Sequence, residues 1–174
     1  DRVAVEEQAG IVDAGLLEPL VHRMIESVMR NPDALVPLAR LKQMDTYATE
    51  HAVATAALII AFGRQQGLSE PELEKLALGA LVKDIGHAAI DAKLIAKTGT
   101  LSRAEYSVMQ SHVEEGLAVL EATTRLPELS VAVLLEHHER FDGSGYPYRM
   151  VGENISAAGR MAAIVDSYDA MTSQ

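Results

Sequence analysis

The chain has 174 residues, 48% hydrophobic and 23% charged, the balance of one globular domain; a chain of this length buries roughly 70% of the surface its unfolded form exposes. A net charge of −10 argues against a nonspecific grip on duplex nucleic acid. The absence of cysteine excludes disulfides and thiolate metal sites and fits a reducing, cytoplasmic setting; no apolar run approaches the roughly 20 residues that span a bilayer.

Apolar positions fall at helical spacing and aromatics are only 4%, so the expected fold is all-α. A first helix runs from Leu16 toward Asn31-Pro32, where proline stops it, and a short one is expected over residues 34–44. Thr46 to Gln66 reads as a long Ala-rich helix ending at Gly67, with His51 in its first turns. Ser69-Glu70-Pro71-Glu72 has capping-box spacing and opens a helix toward Lys83-Asp84-Ile85-Gly86-His87, with Gly86 expected to end it. A second capping box at Ser102 starts one continuous helix through His112 to Leu120, and Pro127 opens another that ends at His137-His138. Asp142-Gly143-Ser144-Gly145-Tyr146-Pro147 must be loop, and Ser156 caps a last helix carrying Asp166 and Asp169.

His51, Asp84, His112, His137, His138 and Asp166 recur at steps of roughly 25 to 33 residues, about one helix and its return, which would converge them on one pocket of a bundle. Singly, each His is explained as well by a satisfied or exposed helix position, and the doublet beside Glu136 and Glu139 as well by a solvated helix end. Together they suit Fe, Mn, Zn or Ni. Adjacent histidines point about 100° apart on a helix, so His137 and His138 are expected to serve two neighbouring ions, with an Asp bridging. The glycine loop and the Tyr146 ring would form a wall beside such a centre.

His51, the Lys83 to His87 segment, His112, the block from His137 to Pro147 and the stretch from Asp166 to Ser173 closely resemble the HD-GYP family. The resemblance spans residues 45–174, leaving 1–44 as leading helices or a linker to an upstream domain. It implies a helical bundle of the HD phosphohydrolase type with a GYP loop, in bacterial signalling proteins that hydrolyse cyclic di-GMP at a two-metal centre. His51, Asp84, His112, His137, His138 and Asp166 fall on the family's metal ligands, Asp84 on the bridging carboxylate. Gly143, Gly145, Tyr146, Pro147 and Asp169 fall on its ligand-binding stretch. Family members continue past Thr172-Ser173 into a basic segment, which is expected beyond Gln174, the last residue of this sequence.

One departure stands inside the catalytic motif. Where the family has His-Asp followed by a lysine, this chain has Lys83-Asp84 and His87, so histidine and lysine have traded places. A protonated ammonium cannot ligate a divalent cation and repels it. The centre is therefore expected to hold one ion, two or none, with Asp84, Lys83 and His87 as the residues that decide catalysis. Three outcomes stay open: a receptor for cyclic di-GMP or a related guanine dinucleotide, docked by Tyr146, the glycine loop and Lys83, with hydrolysis reduced or lost; an active phosphodiesterase in which His87, one helical turn after Lys83, supplies the missing ligand; or a non-catalytic module binding diguanylate cyclase domains. A homodimer is compatible with each.

Overall fold

The computed structural model describes residues 14–31, 47–123 and 125–172. The helix expected over 34–44 lies outside them. The described residues form eight α-helices: α1 Ala14–Arg30, α2 Tyr47–Gln65, α3 Glu70–Val82, α4 Ala92–Ile95, α5 Arg103–Gln110, α6 His112–Thr123, α7 Glu128–Glu136 and α8 Ala157–Thr172. Short 3-10 turns cover Ile85–Ala89 and Gly152–Asn154, and the extended backbone among the described residues pairs only in an isolated bridge, Asp142 to Val151.

Helices α1, α2, α3, α7 and α8 share one core. Val21, Ile25 and Val28 of α1 are buried against Ile59 and Ile60 of α2, Leu73 and Leu76 of α3, Val133 of α7 and Met161 and Val165 of α8. A second cluster, Val82, Val113, Leu120 and Leu134, ties α6 to the ends of α3 and α7. Asp84, His112 and His137 lie at or beside those ends of α3, α6 and α7.

The capping signals are realised. Ser69 N–H donates to Glu72 at 2.8 Å, Ser102 N–H to Glu105 at 2.8 Å, and Gly159 N–H to the Ser156 hydroxyl at 2.9 Å. Gly67 closes α2 with φ 78°, a left-handed cap. Two expectations are corrected. The helix from Ser102 breaks at Ser111, whose hydroxyl donates back to the Val108 carbonyl at 2.8 Å, so His112 begins a new helix. Nor does Gly86 end α3, which stops at Val82. Gly86 instead lies against α6, where an added Cβ would sit 1.9 Å from the His112 carbonyl oxygen. That close crossing sets Asp84 beside His112.

Candidate metal centre

Two groups of ligand-type side chains meet at Asp84. Asp84, His112, His137 and His138 form one, and His51, Asp84 and Asp166 the other. All six residues singled out in the sequence are therefore brought together, but not in the arrangement expected of the doublet. Helix α7 ends at Glu136, leaving His137 and His138 in the following turn, and both imidazoles join the same four-residue group.

In that group, His112 Nδ1–H donates to the Met109 carbonyl and His137 Nδ1–H to the Leu134 carbonyl, each at 2.7 Å. A carbonyl only accepts, so each Nδ1 carries its proton and Nε2 faces inward. The two Nε2 atoms lie 3.4 Å apart, and Asp84 Oδ1 is 3.7 and 3.5 Å from them. Ligand bonds of about 2.0–2.2 Å on a tetrahedral ion would separate donor atoms by about 3.3–3.6 Å. Backbone acceptors orienting both imidazoles are the outer-shell pattern of metal-binding histidine. Burial lowers the pKa of His112 to about 4 and that of His138 to about 2, keeping both neutral near pH 7. Burial opposes charge on Asp84, but the Lys83 ammonium and His137 hold its carboxyl well below the usual range. Three imidazoles and one carboxylate thus fit a divalent transition metal.

The other group is filled by the chain itself. Lys83 is 1% exposed, and its Nζ donates to Asp166 Oδ1 at 2.7 Å, to His51 Nε2 at 3.0 Å and to Asp84 Oδ2. Burial would drive the ammonium toward its neutral form, but the Asp84 and Asp166 carboxylates outweigh it and raise the Lys83 pKa. Burial likewise opposes charge on Asp166, and contacts from His51 and Lys83 reverse this to hold its carboxyl low. His51 Nδ1 meets Asp169 Oδ2 at 2.5 Å, which turns Nε2 toward Asp166 Oδ1 at 2.9 Å and Lys83 Nζ at 3.0 Å.

The geometry gives several of the expected residues other partners. Lys83, expected at a docked phosphate, is buried among Asp84, Asp166 and His51. His87 joins neither group: past the end of α3 the 3-10 turn directs its Nδ1 to the Asp84 carbonyl at 3.0 Å and stacks its ring on His112, centroids 4.1 Å apart. Asp169, expected in the ligand-binding stretch, is 0% exposed with Oδ2 against His51 Nδ1. Gly143 serves a left-handed turn, φ 77°, and Gly145 packs so closely that a Cβ would lie 2.3 Å from Arg140 N.

Tyr146 does face the centre. Its ring stacks on His138 with centroids 4.6 Å apart, its N–H donates to the His138 carbonyl at 3.2 Å, and the Tyr146–Pro147 peptide is cis. Burial pushes its phenol well up, so it remains an O–H donor. Tyr106, missed in the sequence, sets its ring edge to face against Tyr146 at 6.3 Å. Glu139 was missed too: it is 3% exposed, not solvated, and accepts from Tyr148 N–H at 2.7 Å and Met150 N–H at 2.9 Å, holding the loop in place.

The family model described as HD domain matches residues 24–174. The chain belongs to the HD domain family. Its GYP loop and its relatives place it among the HD-GYP members. It is 40% identical over 162 residues to the cyclic di-GMP phosphodiesterase PA4108 of Pseudomonas aeruginosa, covering 93% of this chain and 39% of that protein. It is 38% identical over 106 residues to the 3'3'-cGAMP-specific phosphodiesterase 2 of Vibrio cholerae, covering 60% of this chain and 20% of that protein. This HD-GYP chain therefore spans less than half the length of these relatives. Among solved structures, Bd1817, an HDG"Y"P protein from Bdellovibrio bacteriovorus, superposes with a TM-score of 0.79 at 18% identity, over 98% of this chain and 56% of that one, a likeness of fold. No described helix is long and apolar enough to cross a membrane.

Proposed function

We propose that this HD-GYP domain recognises cyclic di-GMP or a related guanine dinucleotide over a metal at Asp84, His112, His137 and His138, and hydrolyses it slowly or not at all. The observation that carries this reading is the Lys83 ammonium inside the His51, Asp84 and Asp166 group, where the resemblance puts half of a two-metal centre. The named activities of the Pseudomonas and Vibrio relatives support the ligand class.

A bound divalent ion supplies charge neutralisation at a phosphate and a more acidic water. The chain does the rest. His112 and His137, pinned by backbone carbonyls, present lone pairs in fixed directions. Tyr146, protonated and stacked on His138, offers an O–H to a phosphate oxygen and a ring face to a base. With Lys83 buried and His87 stacked on His112, the described residues at the centre place no cationic side chain at the leaving oxygen, so hydrolysis is slow while binding persists.

The test is calorimetric binding and chromatographic turnover of cyclic di-GMP and 3'3'-cGAMP with added Mn2+ or Fe2+. Saturable binding with slow turnover is expected, and the Lys83→His, His87→Lys double variant should hydrolyse at least about tenfold faster, because it returns an imidazole to the ligand set and an ammonium to the opening. Failure to bind either dinucleotide would sink the reading. A second reading, the partner-binding module, is favoured by one feature: Phe141, Tyr148 and Val151 around the GYP loop are all more than half exposed. Capture of a purified diguanylate cyclase domain without nucleotide binding would favour it.

A further inference from the structure

We infer that the Lys83 ammonium is a built-in substitute for a metal ion, so that this domain assembles a one-metal centre whose second cation is covalently part of the chain. The inference rests on the metal-binding half of the proposed function and not on the identity of the nucleotide.

The ammonium has three N–H donors and no acceptor. Its three nearest polar atoms belong to the very groups that make up the second ligand cluster: Asp166 Oδ1, His51 Nε2 and Asp84 Oδ2. Distances of 2.7 and 3.0 Å are those of charge-assisted hydrogen bonds, and they put the nitrogen among the three groups that would face an ion. An ion and the ammonium cannot share that space, and their like charges would repel across it.

The surroundings are those of a kept feature and not of a trapped side chain. Lys83 is 1% exposed, so its charge has no route to water, and two carboxylates and an imidazole surround it. Asp169, buried behind His51, meets its Nδ1, and His51 Nε2 lies 3.0 Å from the Lys83 nitrogen and 2.9 Å from Asp166 Oδ1. Asp84 divides its oxygens, Oδ2 to Lys83 and Oδ1 toward His112 and His137. The carboxylate that would bridge two ions bridges one ion and one ammonium instead.

The decisive measurement is the number of Mn2+ or Zn2+ ions bound per chain, by native mass spectrometry and calorimetry, in wild type against Lys83→Ala and Lys83→His. All three proteins carry His22→Ala, which removes the exposed His22, Glu70 and Glu74 group as a competing surface site. We expect each folded Lys83 variant to bind one ion more than wild type, Lys83→His with the tighter second site. Lys83→His retains a side chain in the cavity should Lys83→Ala fail to fold, and circular dichroism reports folding for both. An equal ion count in wild type and in either folded Lys83 variant would overturn the inference, because the ammonium would then be excluding nothing. The nucleotide reading falls separately, if dinucleotide fails to bind wild type while the ion counts differ as expected.

Discussion

Tyr146 and Glu139 show what single side chains contribute around the centre. The Tyr146 hydroxyl is kept protonated by burial, so its loss removes a donor while the ring and its stack on His138 remain. Tyr146→Phe should weaken cyclic di-GMP binding roughly tenfold, the value of one hydrogen bond to a charged oxygen, with melting temperature unchanged. Unaltered affinity by calorimetry would mean that the hydroxyl touches no phosphate. Glu139 works behind the loop, where its two oxygens take the Tyr148 and Met150 N–H groups. Glu139→Ala leaves both donors without that partner and should cost about 2–4 kcal/mol in urea unfolding, with nucleotide binding lost as the loop loosens. Wild-type stability in that variant would count against the loop's dependence on Glu139.

At the scale of elements, the centre depends on how closely the turn after α3 crosses α6. Gly86→Ala puts a methyl onto the His112 carbonyl and the Gly116 backbone, neither of which can yield without moving α6. The variant should lose about 1–3 kcal/mol and most of its metal affinity together, since Asp84 and His112 are displaced relative to each other. Metal affinity equal to wild type in a folded Gly86→Ala would show that the crossing is not what sets the site. The helices themselves were legible from caps and prolines, and the ligand residues from residue type and spacing. What stayed hidden were events at helix ends: the break at Ser111, the stop of α3 before Lys83, and the unwinding after Glu136 that puts His137 and His138 in one group. Each depends on side chains competing for backbone carbonyls or on contact between distant segments, neither of which has a period in the sequence. The Lys83 swap was visible as an anomaly, but its outcome required knowing that three acceptors close around the ammonium. Asp169 and Glu139 looked like ligand-facing and solvated carboxylates for the same reason.

For the molecule as a whole, the buried imidazoles set a pH limit on the metal-free fold. His112 and His138 have pKa values of about 4 and about 2 in the fold, against about 6.5 when unfolded. Between pH 6.5 and 4 the unfolded chain therefore binds more protons than the folded one, and stability falls as pH falls. Metal-free protein should lose on the order of 2–4 kcal/mol between pH 7 and 5 in urea titrations, and saturating metal should deepen the loss as protons compete for the ligands. A flat profile in metal-free protein would place these imidazoles in contact with water. The tripod around Lys83 acts in the opposite sense. Asp84 and Asp166 crowd one small volume with negative charge, which in the absence of a cation would push the turn after α3 away from α8. Here the neutralising charge arrives with the polypeptide. It cannot be diluted, chelated or exchanged for a competing ion, so the domain's architecture is insulated from the metal supply of its surroundings even where its ligand chemistry is not.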